Sequence, residues 1–310
     1  MKQFTSVADV IDVPQLIESV RSMKGTQQLD FARGKNLAML FFNPSLRTRM
    51  STQTAAYNLG MTVSTLDAHQ GWKLETEPGS IMNGDAQEQL QDAIRVMSGY
   101  TDLLAIRSFA GLQNKQDDYA ETLLNECIRH SDKPVISLES AIRHPLQSLT
   151  DMVTIAELGI KKPKIAVTWA PHPKALPQAV VNSFLEWTPF LEADVWLAHP
   201  EGYELGQQFS KHAHITHNQQ EALEGADIVY CKNWSSVTNY GQRLSGNDHW
   251  TVDSRKMQHT NNAHFMHCLP IRRNVVATDE VVDTSIVYQQ AKNRIWAAQT
   301  VLQQLLLSCS

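Results

Sequence analysis

Short apolar runs alternate with longer segments of helical period along nearly the whole 310-residue chain, and few folds accommodate this pattern. Strands that alternate with helices form parallel sheets that are covered on both faces. Four runs precede the segment 143–159, whose apolar positions suit a helix between two domains, and four follow it. The sequence therefore predicts an α/β fold of two doubly wound parallel-sheet domains joined by bridging helices. The runs predicted as strands are 37–42, 63–66, 103–106, 135–138, 165–169, 195–198, 228–230 and 264–269.

This division also sets the expected domain boundaries. Residues 1–142 are predicted to form the first domain and residues 143–285 the second. The last helix, about 286–310, is too long and apolar to remain undocked, and we expect it to pack back on the first domain. Shorter helices are predicted at 51–59, 88–96, 118–128, 179–187 and 219–223.

Composition argues against several classes of function. The formal charge of −5 is unlike that of a nucleic-acid-binding protein. The chain has no run of 18 apolar residues and no signal-peptide pattern, which favours a cytoplasmic protein away from membranes. The four cysteines lack CxxC spacing and the twelve histidines form no HxH or HExxH pattern, so we expect reduced thiols and no metal. The strand ends also lack the G-x-G-x-x-G turn of NAD-dependent dehydrogenases.

The run S-L-R-T-R at 45–49 follows the first predicted strand and opens a helical segment. Its two arginines, two hydroxyls and the free N–H groups of a helix start are expected to converge on one point. A helix N-terminus supplies donors and partial positive charge, and arginine supplies a planar fork of donors, so such a point binds phosphate. The alternative is an ordinary serine N-cap with two solvated arginines.

Polar side chains also follow five other predicted strands. Ligands of open parallel sheets bind outside the carboxyl ends of the strands, so we expect these side chains to share a site. They are Arg107 after the third strand, Glu139 and His144 after the fourth, His172 after the fifth, Lys232 after the seventh, and His267 with Cys268 closing the eighth.

These clusters resemble the motifs of the transcarbamylase family. The run 45–49 is similar to the family's S-x-R-T-R motif for carbamoyl phosphate, 144–147 to its H-P-x-Q motif, and 267–270 to its H-C-L-P motif. The three occur in family order and spacing, so the resemblance covers the whole chain. It implies a carbamoyl phosphate-binding first domain, a second domain for the amino-acid acceptor, no cofactor, and a cytoplasmic homotrimer with active sites between subunits.

Within the family, the chain resembles the N-acylornithine branch, which serves arginine synthesis through acetylated or succinylated ornithine. The stretch 233–237 lacks the S-M-G loop with which ornithine enzymes hold a free amino-acid end. The segments 171–178 and 232–234 are more similar to succinyl-specific members, and Val276 stands where acetyl-specific members tend to carry lysine. Gln87 departs from both, because the branch has glutamate there for acetyl substrates and proline for succinyl substrates. N-succinylornithine is therefore the expected acceptor, with N-acetylornithine and then ornithine as alternatives.

The resemblance implies a role for each site residue. Arg107, His144 and Thr48 would be catalytic, as donors to the carbonyl oxygen of carbamoyl phosphate. The carbamoyl phosphate-binding residues would be Ser45, Leu46, Arg47, Thr48, Trp72, Arg107, His144, Gln147, Cys268, Leu269 and Arg294. The acylornithine-binding residues would be Glu139, His172, Lys232, Leu269, Arg272 and Gln87. Among these, Lys232 helped by His172 would hold the succinyl carboxylate.

Several points stay open in this interpretation. Trp72 would reach a neighbouring subunit's site, and its alternative is a surface-anchoring aromatic residue. Glu139 has the alternative of a helix-capping carboxylate, and Lys232 and Arg272 that of solvated charges. A knotted second domain is also implied, in which the segment after Lys232 passes through the proline-rich loop 171–177, although knots are very rare. The alternative of a different class is a non-catalytic subunit that binds carbamoyl phosphate.

Overall fold

The computed structural model describes residues 1–68 and 72–308, so Gly71 and Cys309 lie outside the described residues. The chain divides into two compact units. Unit 1 comprises Met1–Ala110, Gln116–Leu146 and Arg294–Ser310, and unit 2 comprises Gly111–Lys115 and Gln147–Asn293.

The strands and helices follow one another in the expected alternation. The strands are β1 Asn36–Phe41, β2 Thr62–Asp67, β3 Leu74–Glu75, β4 Glu88–Gln89, β5 Leu103–Arg107, β6 Val135–Glu139, β7 Lys164–Trp169, β8 Asp194–Ala198, β9 His214–Thr216, β10 Ile228–Lys232 and β11 His264–Met266. The helices are α1 Val13–Met23, α2 Leu46–Asn58, α3 Leu90–Tyr100, α4 Lys115–Ala120, α5 Thr122–His130, α6 Pro145–Glu157, α7 Ala179–Trp187, α8 Gln207–Ser210, α9 Gln219–Leu223, α10 Ser254–Met257, α11 Asp279–Asp283 and α12 Val287–Leu307.

Each unit is built on one parallel sheet. In unit 1 the strand order is β2-β1-β5-β6, and in unit 2 it is β11-β10-β7-β8-β9, with every neighbouring pair parallel. The predicted α/β architecture is thus confirmed, and all eight predicted strands are present. The two bridging helices are α6 and α12, since the unit boundaries fall inside them.

The central strands are buried because both faces of each sheet are covered. All five residues of β5, of β6 and of β10 are buried, as expected for strands enclosed by helices. The edge strand β2 instead alternates between exposed and half-buried residues. In each unit the carboxyl ends of three adjacent strands, β1, β5 and β6 or β7, β10 and β11, therefore carry the polar clusters noted in the sequence.

The second half of α12 packs within unit 1. Its residues Ala297, Val301 and Leu305 are buried, and Gln299 Oε1 accepts a hydrogen bond from Asn58 Nδ2 at 2.9 Å. This contact joins α12 to the helix that follows the S-L-R-T-R run. Within 1–68 and 72–308, none of the helices is sufficiently long and apolar to cross a membrane.

Candidate active site

The S-L-R-T-R run forms the junction between β1 and α2. Ser45 is the N-cap of α2, and its hydroxyl accepts the Thr48 N–H at 3.3 Å. The first N–H groups of a helix have no intrahelical partner, so a helix start at a strand end presents donors to a ligand. Ser45 therefore caps the helix, as the alternative interpretation expects. A capped helix start can still bind an anion, so the two interpretations are compatible.

Arg49 departs from the expected convergence. Its guanidinium forms an ion pair of 2.6 Å with Asp67, the last residue of β2, and covers the ring of Phe41 at 4.8 Å. The expectation that both arginines of the run converge on one point is therefore wrong for Arg49. An acidic residue at the end of the neighbouring strand draws this side chain away.

A cluster of buried polar and charged residues surrounds the Thr48 hydroxyl, and we call it the arginine cluster. It consists of Thr48, Arg107, Glu139, His144 and Arg294. Arg107 Nη1 is 2.6 Å from Glu139 Oε2 and 3.3 Å from Thr48 Oγ1. Arg294 Nη2 donates to the same Thr48 oxygen at 2.9 Å, from a position two turns inside α12. The fold therefore gathers residues from α2, two strand ends and the last helix around one hydroxyl.

The balance of charge in the arginine cluster favours an anion. Two guanidinium groups face one carboxylate, and His144 Nε2 lies 3.5 Å from the same Glu139 oxygen. Arg107 Nε is buried and has no hydrogen-bond partner among residues 1–68 and 72–308. A buried donor of this kind is costly unless a ligand satisfies it. The cluster can therefore offer hydrogen bonds to an oxyanion.

Trp72 and Gln87 come just before β3 and β4, the two strands of the small sheet of unit 1. Trp72 is 57% exposed, and its Nε1–H donates to Glu88 Oε2 at 2.8 Å. Gln87 Oε1 accepts the Lys73 N–H at 2.6 Å, which directs the amide NH₂ of Gln87 the other way. These two contacts fix the orientation of both side chains.

Lys232 is the last residue of β10 in unit 2. The residue as a whole is only 9% exposed. Its ammonium forms no hydrogen bond or ion pair with any residue of the described part of the chain. A cation without a counter-charge at the carboxyl end of a sheet strand is available to an anionic ligand.

His172 and Arg272 lie near Lys232 within unit 2, and we call the three residues the basic cluster. Arg272 Nε–H donates to His172 Nε2 at 3.3 Å, and His172 Nδ1 lies 2.9 Å from the carbonyl oxygen and 3.1 Å from the backbone nitrogen of Lys174. Burial lowers the pKa of His172 below its usual value, and the charges of Lys232 and Arg272 lower it further. His172 is therefore neutral near pH 7, and the positive charge of the basic cluster belongs to Lys232 and Arg272.

The H-C-L-P segment follows β11. The Leu269 N–H donates to His267 Nδ1 at 2.9 Å, and the His267 N–H donates to Gln290 Oε1 at 3.0 Å. Leu269 has a φ of 55°, a left-handed conformation that is uncommon for leucine. Cys268 is partly exposed between these two residues.

Two buried residues of this region were not predicted. Asp151 accepts hydrogen bonds from Gln147 Nε2 and Gln290 Nε2, both at 2.7 Å. The sequence signal for Asp151 was its position four residues after Gln147, on the same face of α6. Nothing comparable marked Gln290, which lies 139 residues away from Asp151.

Cys127 and Cys231 offer no sign of nucleophilic chemistry. Cys127 and Cys231 are buried and free, and burial raises the pKa of Cys127 to about 12 and that of Cys231 further. Among residues 1–68 and 72–308, no group of three or more His, Cys, Asp or Glu side chains could hold a metal ion.

Comparison with family models gives two matches that together cover most of the chain. The carbamoyl-P binding domain model of aspartate/ornithine carbamoyltransferase matches residues 2–157. The Asp/Orn binding domain model of the same family matches residues 177–305.

Comparison with individual proteins gives end-to-end similarity. The chain is 51% identical to an N-succinylornithine carbamoyltransferase of Bacteroides fragilis (strain 638R), over 99% of each chain. It is 32% identical to an N-acetylornithine carbamoyltransferase of Xylella fastidiosa (strain Temecula1), over 98% of each. It also resembles the solved structure of a glutamate-to-valine variant of N-acetyl-L-ornithine transcarbamylase complexed with carbamyl phosphate and N-succinyl-L-norvaline. That match has a TM-score of 0.91 and 30% identity, and covers 98% of this chain and 100% of the other.

Proposed function

This chain belongs to the aspartate/ornithine carbamoyltransferase family, and on that basis we propose that it transfers the carbamoyl group of carbamoyl phosphate to the δ-amine of N-succinylornithine. The products are N-succinylcitrulline and phosphate, and the reaction would serve arginine biosynthesis. The 51% identity to an N-succinylornithine carbamoyltransferase, against 32% to an N-acetylornithine carbamoyltransferase, supports this choice of acceptor.

The observation that carries the acceptor assignment is the ammonium of Lys232, which has no hydrogen bond or ion pair within the described residues. N-succinylornithine has a second carboxylate at the end of its acyl group, and N-acetylornithine has none. Because Lys232 has no partner in the described part of the chain, the succinyl carboxylate would supply its counter-charge. Arg272, oriented by neutral His172, supplies a second cation for the α-carboxylate. Two cations thus match the two carboxylates of the proposed acceptor.

Gln87 is compatible with the same acceptor. Its carbonyl oxygen is occupied by the Lys73 N–H, so the amide NH₂ is the group that remains for a ligand. An amide donor attracts a carboxylate, whereas the glutamate of acetyl-specific members would repel one. Relatives of the acetyl type in which one glutamate is replaced by valine or proline are described as complexes with N-succinyl-L-norvaline.

Carbamoyl phosphate would be bound by the start of α2 and the arginine cluster. We assign its phosphate to Ser45, the Leu46 N–H, Arg47 and Thr48, with Arg294 steadying the Thr48 hydroxyl. The carbonyl oxygen would accept hydrogen bonds from Thr48, Arg107 and His144. Donors that are already oriented stabilise charge as it develops on that oxygen, and each contributes about 10²–10³ in rate.

The reaction then needs no covalent enzyme intermediate. The δ-nitrogen uses its lone pair to form a bond to the carbamoyl carbon, and the carbonyl electrons move to the oxygen. Collapse of this tetrahedral intermediate breaks the bond between carbon and phosphate oxygen, and the proton lost by the nitrogen is taken by the departing phosphate. The free amine has a pKa near that of lysine, about 10.4, so binding of the neutral amine is part of the task. Positioning and charge stabilisation are the protein's contribution.

The remaining assignments of the resemblance stay predictions. Gln147, Cys268 and Leu269 would contact the carbamoyl group, and Glu139 and Leu269 the acceptor. Trp72, whose ring is exposed, would enter the site of a neighbouring subunit in a cytoplasmic homotrimer.

We also propose the knot that the resemblance implies. Its support is a set of buried hydrogen bonds between the loop after β7 and the segment after β10. Asn233 Nδ2 donates to the Ala170 carbonyl at 2.7 Å, the Ser235 N–H donates to the Leu176 carbonyl at 2.9 Å, and Gln178 Nε2 donates to the Ser235 carbonyl at 2.7 Å. The two segments are therefore held together along their length, as threading of one through the other requires.

The decisive experiment offers N-succinylornithine, N-acetylornithine and ornithine separately to the purified protein with carbamoyl phosphate, and measures the ureido product. We expect efficient turnover with the succinyl compound alone. A preference for N-acetylornithine would mean that Gln87 acts as glutamate does in the acetyl enzymes. Absence of turnover with all three, in a protein that still binds carbamoyl phosphate, would favour the non-catalytic binding subunit.

A further inference from the structure

We propose that Asp151 and Gln290 are positioning residues that hold Leu269 of the H-C-L-P segment in its reactive conformation, a role that rests on the proposed transfer reaction. Both side chains are buried in unit 2, and neither is expected to touch a substrate. The geometry points to a single buried carboxylate that governs the backbone of a distant site segment.

Asp151 is fully buried and accepts hydrogen bonds from the side chains of Tyr230, Gln147 and Gln290. Tyr230 of β10 donates to Oδ2 at 2.8 Å, and Gln147 and Gln290 each donate to Oδ1 at 2.7 Å. The carboxylate therefore anchors donors from α6, from β10 and from the start of α12.

Gln290 carries this anchoring to the H-C-L-P segment. Its NH₂ faces the Asp151 carboxylate, so its carbonyl oxygen must face the opposite way, where it accepts the His267 N–H at 3.0 Å. His267 Nδ1 in turn accepts the Leu269 N–H at 2.9 Å and therefore has no proton of its own. Each link allows only one orientation of the next, so Asp151 indirectly sets the position of the Leu269 amide.

Leu269 needs such support because its backbone is in an unfavourable region. A φ of 55° places its Cβ close to the following carbonyl, a conformation that residues other than glycine, asparagine and aspartate rarely adopt. Conformations of this kind persist where contacts with the surrounding structure hold them in place, and they are concentrated at functional sites. With its N–H bound to His267, Leu269 has its carbonyl left to accept hydrogen bonds from the δ-amine and the carbamoyl NH₂. The same carboxylate also fixes Gln147 of the H-P-L-Q motif.

Gln290→Met tests the proposal, with Tyr230→Phe as its matched control. Methionine is close to glutamine in length and suits a helix, but it breaks the connection between Asp151 and His267. Tyr230→Phe also removes one hydrogen bond from Asp151, on the oxygen that is not connected to Leu269. We expect Gln290→Met to lower kcat about 30-fold or more with the KM for carbamoyl phosphate within threefold, and Tyr230→Phe to keep kcat within threefold.

Amide hydrogen exchange gives a readout that does not depend on turnover. Exchange at Leu269 should accelerate at least about tenfold in Gln290→Met and remain near the wild-type rate in Tyr230→Phe. Equal losses of kcat and equal exchange at Leu269 in the two variants would overturn the proposal, because a purely structural carboxylate predicts that outcome. If Gln290→Met does not fold, Gln290→Leu, which removes the same two hydrogen bonds, serves in its place with the same expectations. The wild-type protein could also turn over none of the acceptors while exchange at Leu269 accelerates in Gln290→Met and not in Tyr230→Phe. That outcome would support the positioning role and refute the proposed function.

Discussion

Replacing Lys232 by methionine removes a positive charge while keeping most of the side-chain volume. If the ammonium binds the succinyl carboxylate, its loss removes a hydrogen bond between charged groups, which is worth about 1.5–3 kcal/mol. A factor of ten corresponds to about 1.4 kcal/mol. The expected fall in kcat/KM for N-succinylornithine is therefore about 10- to 150-fold.

The same substitution should leave the stability of the free protein nearly unchanged, because Lys232 has no hydrogen bond or ion pair within the described residues. An unchanged melting temperature together with a loss of activity would distinguish a binding residue from a structural one.

Steady-state kinetics with two acceptors gives the sharpest test. The acetyl compound has no acyl carboxylate, so its kcat/KM should change less than threefold in Lys232→Met. Lys211→Met, at an exposed lysine of the same unit, is the control and should alter neither acceptor. Equal losses for both acceptors would refute the reasoning, because they would place Lys232 against the α-carboxylate or another shared group.

Three other perturbations follow from the site and from the buried histidines. His144→Asn and Arg107→Leu should each lower kcat about 10²–10³-fold, and turnover within tenfold of wild type would contradict the proposed polarisation of the carbonyl. Inactive Trp72→Ala subunits, mixed and reassembled with inactive Arg107→Leu subunits, should regain part of the activity if Trp72 serves a neighbour's site; no recovery would argue for a surface role. Burial lowers the pKa of His199 from its ordinary value of 6.5, so the unfolded chain binds more protons than the folded one below that pH and stability falls on acidification. Melting curves between about pH 7.5 and 5.5 should show this fall, and His199→Gln should reduce it; an unchanged slope would assign the effect to other groups.

The sequence predicts the sheets well because buried parallel strands are continuous apolar runs. It misses β9, a three-residue edge strand that is largely exposed and therefore carries no such run. It also misses α1, although Asp12 caps this helix and its buried positions recur at helical spacing. That signal was available in the sequence.

The predicted helix 118–128 shows how tertiary contacts override local pattern. The structure has two helices there, α4 and α5, separated at Glu121, which has a φ of 49°. The Glu121 carboxylate binds the Ser140 hydroxyl and Arg143, beyond the end of β6. Partners so distant in the chain leave no trace in the helical period of 118–128.

For the site, strand ends are easier to predict than the partners of the side chains. Arg107, Glu139 and Lys232 were found because each closes an apolar run, and the structure has each at the last position of its strand. The ion pair of Arg49 with Asp67, by contrast, depends on which strands are neighbours in the sheet. Spacing along the chain does not encode that information.

The ion pair of Arg107 and Glu139 also limits how these two positions vary among relatives. Replacing one partner of a buried pair costs about 3–5 kcal/mol, because the other charge is left without compensation. That is a large part of the total stability of a typical protein, about 5–15 kcal/mol. A lineage that loses one of the two charges must therefore lose the other, and the two positions should be inherited together. The exposed ion pair of Arg21 with Glu18 contributes little to stability, so either of these positions should vary among relatives without a change at the other.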